Sequence, residues 1–316
     1  MAENSKIQWT HHTFNPWRGC TKVSEGCKHC YAETMSKRNL KVLGQWGPNG
    51  TRVVASESMW REPMKWDAAA KAAGERHRVF CASLADVFEG RDTMPESSWE
   101  AVEAARVRLW DVIYKTKNLD WLLLTKRPEN IAGIIGGESG AGLAFMEENM
   151  RNVWIGTSVE NQQAVEERIP PLLKIPAAVR FLSMEPMLGP IEFSYVGKRN
   201  DCLSQLGRRA LGGIDWVIVG GESGKNARPF NISWARSIIA QCRAASGVSV
   251  FVKQLGSRPV EFGECDCGRI EHGRCHQLCP SINPQPINLR SQKGGDWHEW
   301  PAVLRVREFP CVEATR

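Results

Sequence analysis

Trp216-Val217-Ile218-Val219-Gly220-Gly221-Glu222-Ser223 runs apolar without alternation and stops in glycine, a carboxylate and a hydroxyl. A strand with one face in water alternates apolar with polar; one buried on both faces does not. The same grammar recurs at 79–83, 121–125, 153–157, 180–183 and 250–253. Helical stretches lie between these runs, over 98–117, 162–173 and 233–245. A repeating strand–helix pattern predicts an α/β fold, a complete or partial (β/α) barrel. Periodicity alone leaves an open doubly wound sheet as the alternative.

In such barrels chemistry gathers where strands end. The residues there are Ser83 and Asp86 after the second strand, and Lys126 and Arg127 after the third. Glu160 and Asn161 follow the fourth, Glu185 the fifth, Glu222 and Ser223 the sixth, and Lys253 the seventh. A ring of polar groups at strand ends is expected to line a polar site. Lys126, Arg127, Glu160, Asn161 and Lys253 are candidates for holding a charged substrate through charge-assisted hydrogen bonds. Ordinary salt bridges between loops are the alternative.

The chain has 316 residues, 42% hydrophobic and 24% charged, which is the make-up of a globular protein. No apolar run is long enough to span a membrane, and the N-terminus lacks the apolar segment of a secretory signal. A cytoplasmic location is therefore expected, where eleven cysteines read as metal ligands or buried thiols rather than disulfides. The net charge of +6 permits an anionic partner without requiring one.

Residues 1–256 carry the strand–helix pattern. Over 257–293 the texture changes to prolines, glycines and four cysteines, Cys265, Cys267, Cys275 and Cys279. This reads as an insertion held by a metal rather than by a core, with zinc or an iron–sulfur cluster as occupant. Residues 294–316 form a tail expected to pack on the barrel.

Cys20-x₆-Cys27-x₂-Cys30-Tyr31 follows the first strand. Three thiolates on one loop can hold three irons of a cubane and leave the fourth open to a cofactor. A structural zinc site, with His29 or a distant cysteine as fourth ligand, is the alternative.

The stretch from Ile7-Gln8-Trp9-Thr10 through Phe14-Asn15-Pro16 to Cys30-Tyr31-Ala32-Glu33 resembles a phage-associated, radical-SAM-like three-cysteine family. The likeness continues through Leu124-Thr125-Lys126-Arg127-Pro128, Gly156-Thr157-Ser158-Val159-Glu160, Ser183-Met184-Glu185-Pro186 and Gly220-Gly221-Glu222-Ser223. More widely the chain resembles radical S-adenosylmethionine enzymes, including spore-photoproduct-lyase-like members with a Cys-Tyr-Ala ending. That resemblance implies a [4Fe–4S] cluster on Cys20, Cys27 and Cys30, S-adenosylmethionine on its free iron, and a 5′-deoxyadenosyl radical supplied through an external electron donor. It implies cofactor contacts among Ser83, Asp86, Glu185, Glu222 and Ser223. The spacing departs from the family's usual x₃ first gap, and Gly220-Gly221-Glu222 follows the sixth strand instead of the second.

The phage association implies DNA or a modified nucleotide as substrate, and an isomerase or mutase acting on an amino-acid-modified thymine, for example a glycyl group moved from nitrogen to carbon linkage. Trp9, Trp17, Arg18, Trp46, Arg52 and Trp60 would serve that substrate by stacking and phosphate contacts, or else belong to the core. A radical DNA-repair lyase and a non-catalytic zinc-stabilised nucleic-acid-binding protein are the rival readings.

Overall fold

The computed structural model of the chain describes residues 5–137, 140–193, 211–245, 247–262, 270–271, 274–275 and 284–311. Seven strands form one sheet: β1 (His12–Phe14), β2 (His77–Cys81), β3 (Leu119–Thr125), β4 (Val153–Ser158), β5 (Val179–Met184), β6 (Trp216–Gly220) and β7 (Ser249–Gln254). They lie side by side in chain order, and every neighbouring pair is parallel. A doubly wound sheet reverses its order at a switch point. Here there is no reversal. Crossovers of one hand, all advancing in one direction, put the helices on one face. The sheet curls around the other face as a half-barrel with β1 and β7 at its edges, which decides between the two architectures left open by periodicity.

The connecting helices are α1 (Tyr31–Arg38), α2 (Glu62–Ala73), α3 (Glu96–Lys115), α4 (Ile131–Gly136), α5 (Ala141–Asn149), α6 (Gln162–Leu173) and α7 (Ile232–Ala245). No helix among the described residues is long and apolar enough to cross a membrane. Because side chains alternate along a strand, the unbroken apolar runs feed two cores. Val79, Leu123, Ile155, Leu182, Val219 and Val252 pack outward against helical residues such as Leu109, Val165 and Ile238. Phe80, Leu122, Trp154, Phe181, Trp216, Ile218 and Phe251 pack inward on each other and on Trp9.

Trp216 is the hub of the inner core. Its ring centroid lies 6.0–6.1 Å from those of Trp9, Trp154, Phe181 and Phe251. Three of these contacts are edge-on, and such aromatic pairs add about 0.5–1.5 kcal/mol each beyond the area they bury. Trp9, Trp17, Trp60 and Arg52 are all buried. They are core residues and cannot stack on or reach a nucleic acid, which corrects the surface role considered for them.

The C-terminal segment covers the β7 edge. Val252 N–H donates to the Val306 carbonyl and Glu308 N–H to the Val250 carbonyl, both at 2.8 Å. Pairing an exposed edge in this way removes a site for unwanted strand addition. The cysteine-rich insertion leaves and returns through adjacent antiparallel strands, Pro259–Phe262 and Pro284–Pro286. Cys265, Cys267 and Cys279 lie outside the described residues, and of Cys275 only the backbone is described, in a two-residue strand paired with Ile270–Glu271.

Candidate active site at the mouth of the half-barrel

Following the inward-facing positions toward the C-terminal ends of the strands, the character changes within one or two alternations. Phe181 gives way to Ser183 and Glu185, Trp154 to Gly156 and Ser158, and Phe251 to Lys253. Lys253 Nζ donates to both oxygens of Glu185, at 2.7 and 2.8 Å, and Lys126 Nζ to Ser158 Oγ at 3.0 Å. A Cβ on Gly220 would come within 3.2 Å of the Glu185 carboxyl carbon, so the glycine lets this pair sit against β6.

The cysteine loop closes over this mouth. Gly19 turns the chain with φ 113°, a conformation that side chains disfavour. A Cβ there would also lie 2.3 Å from the Thr51 carbonyl oxygen. Cys20, Cys27 and Cys30 are free thiols, each half-buried. Cys27 ends a 3₁₀ turn, Glu25–Cys27, and Cys30 is the N-cap of α1. Tyr31 donates its hydroxyl to the Ser83 carbonyl at 2.6 Å, and Asn15 bonds Ser83 Oγ and Leu84 N–H. These contacts tie the loop to the end of β2.

Three sets of charged groups hold the loop. Beside Cys20, Arg52 forks onto Glu89 at 2.8 Å through two nitrogens, both side chains fully buried. Arg127 Nη1 reaches Asp86 Oδ2 at 3.1 Å and Cys20 Sγ at 3.8 Å; Arg127 Nη2 donates to the Thr21 carbonyl at 2.7 Å. Asp86 accepts four hydrogen bonds, from Phe88 N, Thr125 Oγ1, Lys126 N and Arg127 Nη1. Burial, with Glu89 and Asp86 nearby, pushes the Cys20 thiol up to about 12, while Arg127 opposes the shift. Ligation by a metal would displace that proton.

Between Cys20 and Cys27, Ser24 Oγ donates to Glu160, whose other partner is Arg168 at 2.8 Å. Burial works to raise the Glu160 carboxyl, but Arg168, Ser24 and Lys126 outweigh it and hold it below its usual range. Gly26 passes so close that a Cβ would lie 2.9 Å from the Glu160 carboxyl carbon. Asn161 caps α6 by accepting from Ala164 N–H. A cleft of about 410 Å³ opens here, with Ser24, Glu25, Lys126, Glu129, Glu160 and Arg168 in its walls.

At the far side of the loop, Glu222 takes three hydrogen bonds from Arg228 and faces His29 Nδ1 at 3.1 Å. Burial works against ionisation, yet Arg228 and His29 hold the Glu222 carboxyl down at about 2. Arg228 also donates to the Glu25 carbonyl at 3.0 Å. Ser223 lies half-buried in the following turn.

The structure thus brings Asp86, Arg127, Glu160 and Glu222 together as anchors of the cysteine loop, and Lys126, Glu185 and Lys253 onto the concave face. The reading of the sequence missed Glu89, Arg168 and Arg228, and gave Arg52 to phosphate contacts instead of to Glu89. The one local hint was Asp86-x-x-Glu89, two carboxylates closely following a strand end.

Among the described residues, no three His, Cys, Asp or Glu side chains converge as ligands of one metal ion. Three free thiols on one loop can each ligate a separate iron of a cubane.

Residues 4–280 match the family model described as "Protein of unknown function (DUF5131)". The chain belongs to that family. No curated protein matches it. Two solved structures of spore photoproduct lyase, a cysteine-to-serine and a tyrosine-to-phenylalanine mutant, are similar at TM-scores of 0.43 and 0.42. They share 14% and 13% identity with the chain, over 84% of it and 69% and 68% of their own lengths.

Proposed function

We propose that this member of the DUF5131 family is a radical S-adenosylmethionine enzyme whose [4Fe–4S] cluster is held by Cys20, Cys27 and Cys30. Its substrate is a modified base in phage DNA, and its reaction an isomerisation, with a nitrogen-linked glycyl group on thymine becoming carbon-linked as the concrete case. The observation that carries the reading is the placement of three free, half-buried thiols on one loop over the C-terminal mouth of a parallel half-barrel. That is the end at which barrels of this kind do their chemistry.

When bound, the cluster and S-adenosylmethionine supply hydrogen abstraction from an unactivated carbon. The chain's residues divide the remaining work. Glu160 and Glu222 fix the two flanks of the loop. Lys253 and Lys126 offer ammonium groups to a carboxylate such as that of a glycyl adduct. Glu185 orients Lys253, and Ser83 and Ser223 serve as contacts for the cofactor. The aromatic floor under the mouth keeps water from the reacting carbon. The net charge of +6 favours a polyanionic substrate in the cytoplasm of an infected cell. The insertion's cysteines hold a zinc ion or a second cluster, and the electron comes from an external donor.

The test is anaerobic reconstitution, reduction, and incubation with S-adenosylmethionine and DNA carrying the amino-acid-modified thymine. Formation of 5′-deoxyadenosine together with a mass-neutral change in the modified nucleoside is expected. Cofactor cleavage with the nucleoside unaltered would remove the substrate assignment, and a change only in damaged, unmodified DNA would make the enzyme a repair lyase.

A further inference from the structure

We infer that Arg127 is a positioning residue that donates a hydrogen bond to the sulfur of Cys20 and thereby sets the reduction potential of the cluster. This deepens the proposed function and rests on it.

Arg127 is 3% exposed, so it is not a solvent-facing cation awaiting a substrate. Its terminal nitrogens are engaged by the protein in four directions. Nη1 faces Asp86 at 3.1 Å and Cys20 Sγ at 3.8 Å; Nη2 faces the Thr21 carbonyl at 2.7 Å and Glu89 at 3.6 Å. The planar guanidinium fork cannot rotate to serve another partner without breaking these contacts together. Asp86 is itself fixed by Thr125 Oγ1 and two backbone N–H groups. Glu89 is fixed by Arg52 and by Thr21 N–H. Two guanidiniums and two carboxylates leave this group nominally neutral. Its effect on Cys20 is therefore one directed N–H donor rather than a bulk positive field.

Hydrogen bonds to ligand sulfurs, together with burial, are the protein's means of tuning iron–sulfur potentials. A donor withdraws electron density from the thiolate and stabilises the reduced, more negative cluster, so it raises the potential. Among the three thiols, only Cys20 has a side-chain donor aimed at it in the described structure. The tuning is thus applied at one corner of the cluster.

The experiment compares the reconstituted wild type with Arg127→Lys and Arg127→Gln by redox titration under electron paramagnetic resonance, with iron content measured alongside. In Arg127→Gln the reduced-to-oxidised ratio at a fixed poise should fall about tenfold, which for a one-electron couple is about 59 mV. Arg127→Lys, which keeps the charge and a donor, should recover part of it. Loaded variants with the wild-type midpoint would overturn the inference.

A second measurement needs no variant and covers the case in which neither variant assembles a cluster. Wild type labelled with ¹⁵N-arginine should show a weak nitrogen coupling to the reduced cluster. Its absence overturns the inference equally. If the wild type binds no iron at all, the functional reading itself fails, whereas iron binding with an unmoved potential removes only the role of Arg127.

Discussion

The two ends of the concave face are built from the same strands in the same alternation, yet they do opposite things. At the lower end Trp154, Phe181, Trp216 and Phe251 meet with Trp9 in a dry aromatic floor. Two to four residues further along the same strands, Ser158, Ser183, Glu185 and Lys253 form a polar mouth under a loop of three cysteines. The floor stores stability in buried area; the mouth holds its charges only because each has a partner. A parallel strand can therefore pass from packing to chemistry in a single alternation, and the two functions should come apart under mutation.

The largest effect should come at the mouth. Cys27→Ala should abolish cluster assembly, read as loss of bound iron and of 5′-deoxyadenosine formation, with little change in melting of the metal-free protein. Trp216→Ala should do the reverse. Deleting a fully buried tryptophan costs about 3–5 kcal/mol, seen as a large fall in denaturation midpoint, while protein that remains folded keeps its iron. If Trp216→Ala and Cys27→Ala gave the same phenotype, the separation of floor and mouth would be broken. Glu160→Gln should be intermediate. It removes the charge that holds Ser24 and Arg168, and groups that orient metal ligands typically contribute about 10–100-fold in metal affinity, measurable by competition with an iron chelator.

The smallest effect is a pH dependence confined to the lower end. His11 and His12 lie at the start of β1 beside His77, with His12 stacked on Trp66 at 4.4 Å and 2°. Burial, then Arg78 and His77 for His11 and His77 and His11 for His12, lowers both from 6.5 to about 4; Glu75 works in the opposite sense on His11. Histidines kept neutral in the fold contribute stability that is present above pH 6.5 and is lost as the pH falls toward 4. Stability should decline across that window, and His12→Gln should flatten the decline. An unchanged slope would show that the burial of these rings is not what the acid limb reports.

Much of the frame was legible in the sequence because burial on both faces leaves a distinctive apolar run. Six of the seven strands fall where such runs predict them, and α6 coincides with 162–173. The first strand, expected just before Cys20, is β1, three residues long and without an apolar run of its own. The cysteine loop was legible as well, since its ligands are close in sequence. What the loop is tied to was not. Arg168 and Arg228 reach Glu160 and Glu222 only after the sheet's register and the paths of its loops are fixed, and no local pattern encodes that. Arg127 shows the same limit. As a cation after a strand end it read as a substrate clamp, whereas the fold turns it beneath Cys20. The tryptophans misled for a simpler reason: a large amphipathic ring suits a core and a nucleic-acid surface alike, and only burial tells them apart.

Whether Cys20, Cys27 and Cys30 hold a cubane cluster with an open iron is decided by anaerobic metal analysis. Iron and sulfide should be measured on the reconstituted protein, with spectra recorded with and without S-adenosylmethionine. About four irons are expected for this site, or about eight if the insertion carries a second cluster. The spectrum of the reduced form should also change when the cofactor binds. Zinc without iron, after anaerobic handling and attempted reconstitution, would rule out the cluster and leave a metal-stabilised binding protein in its place.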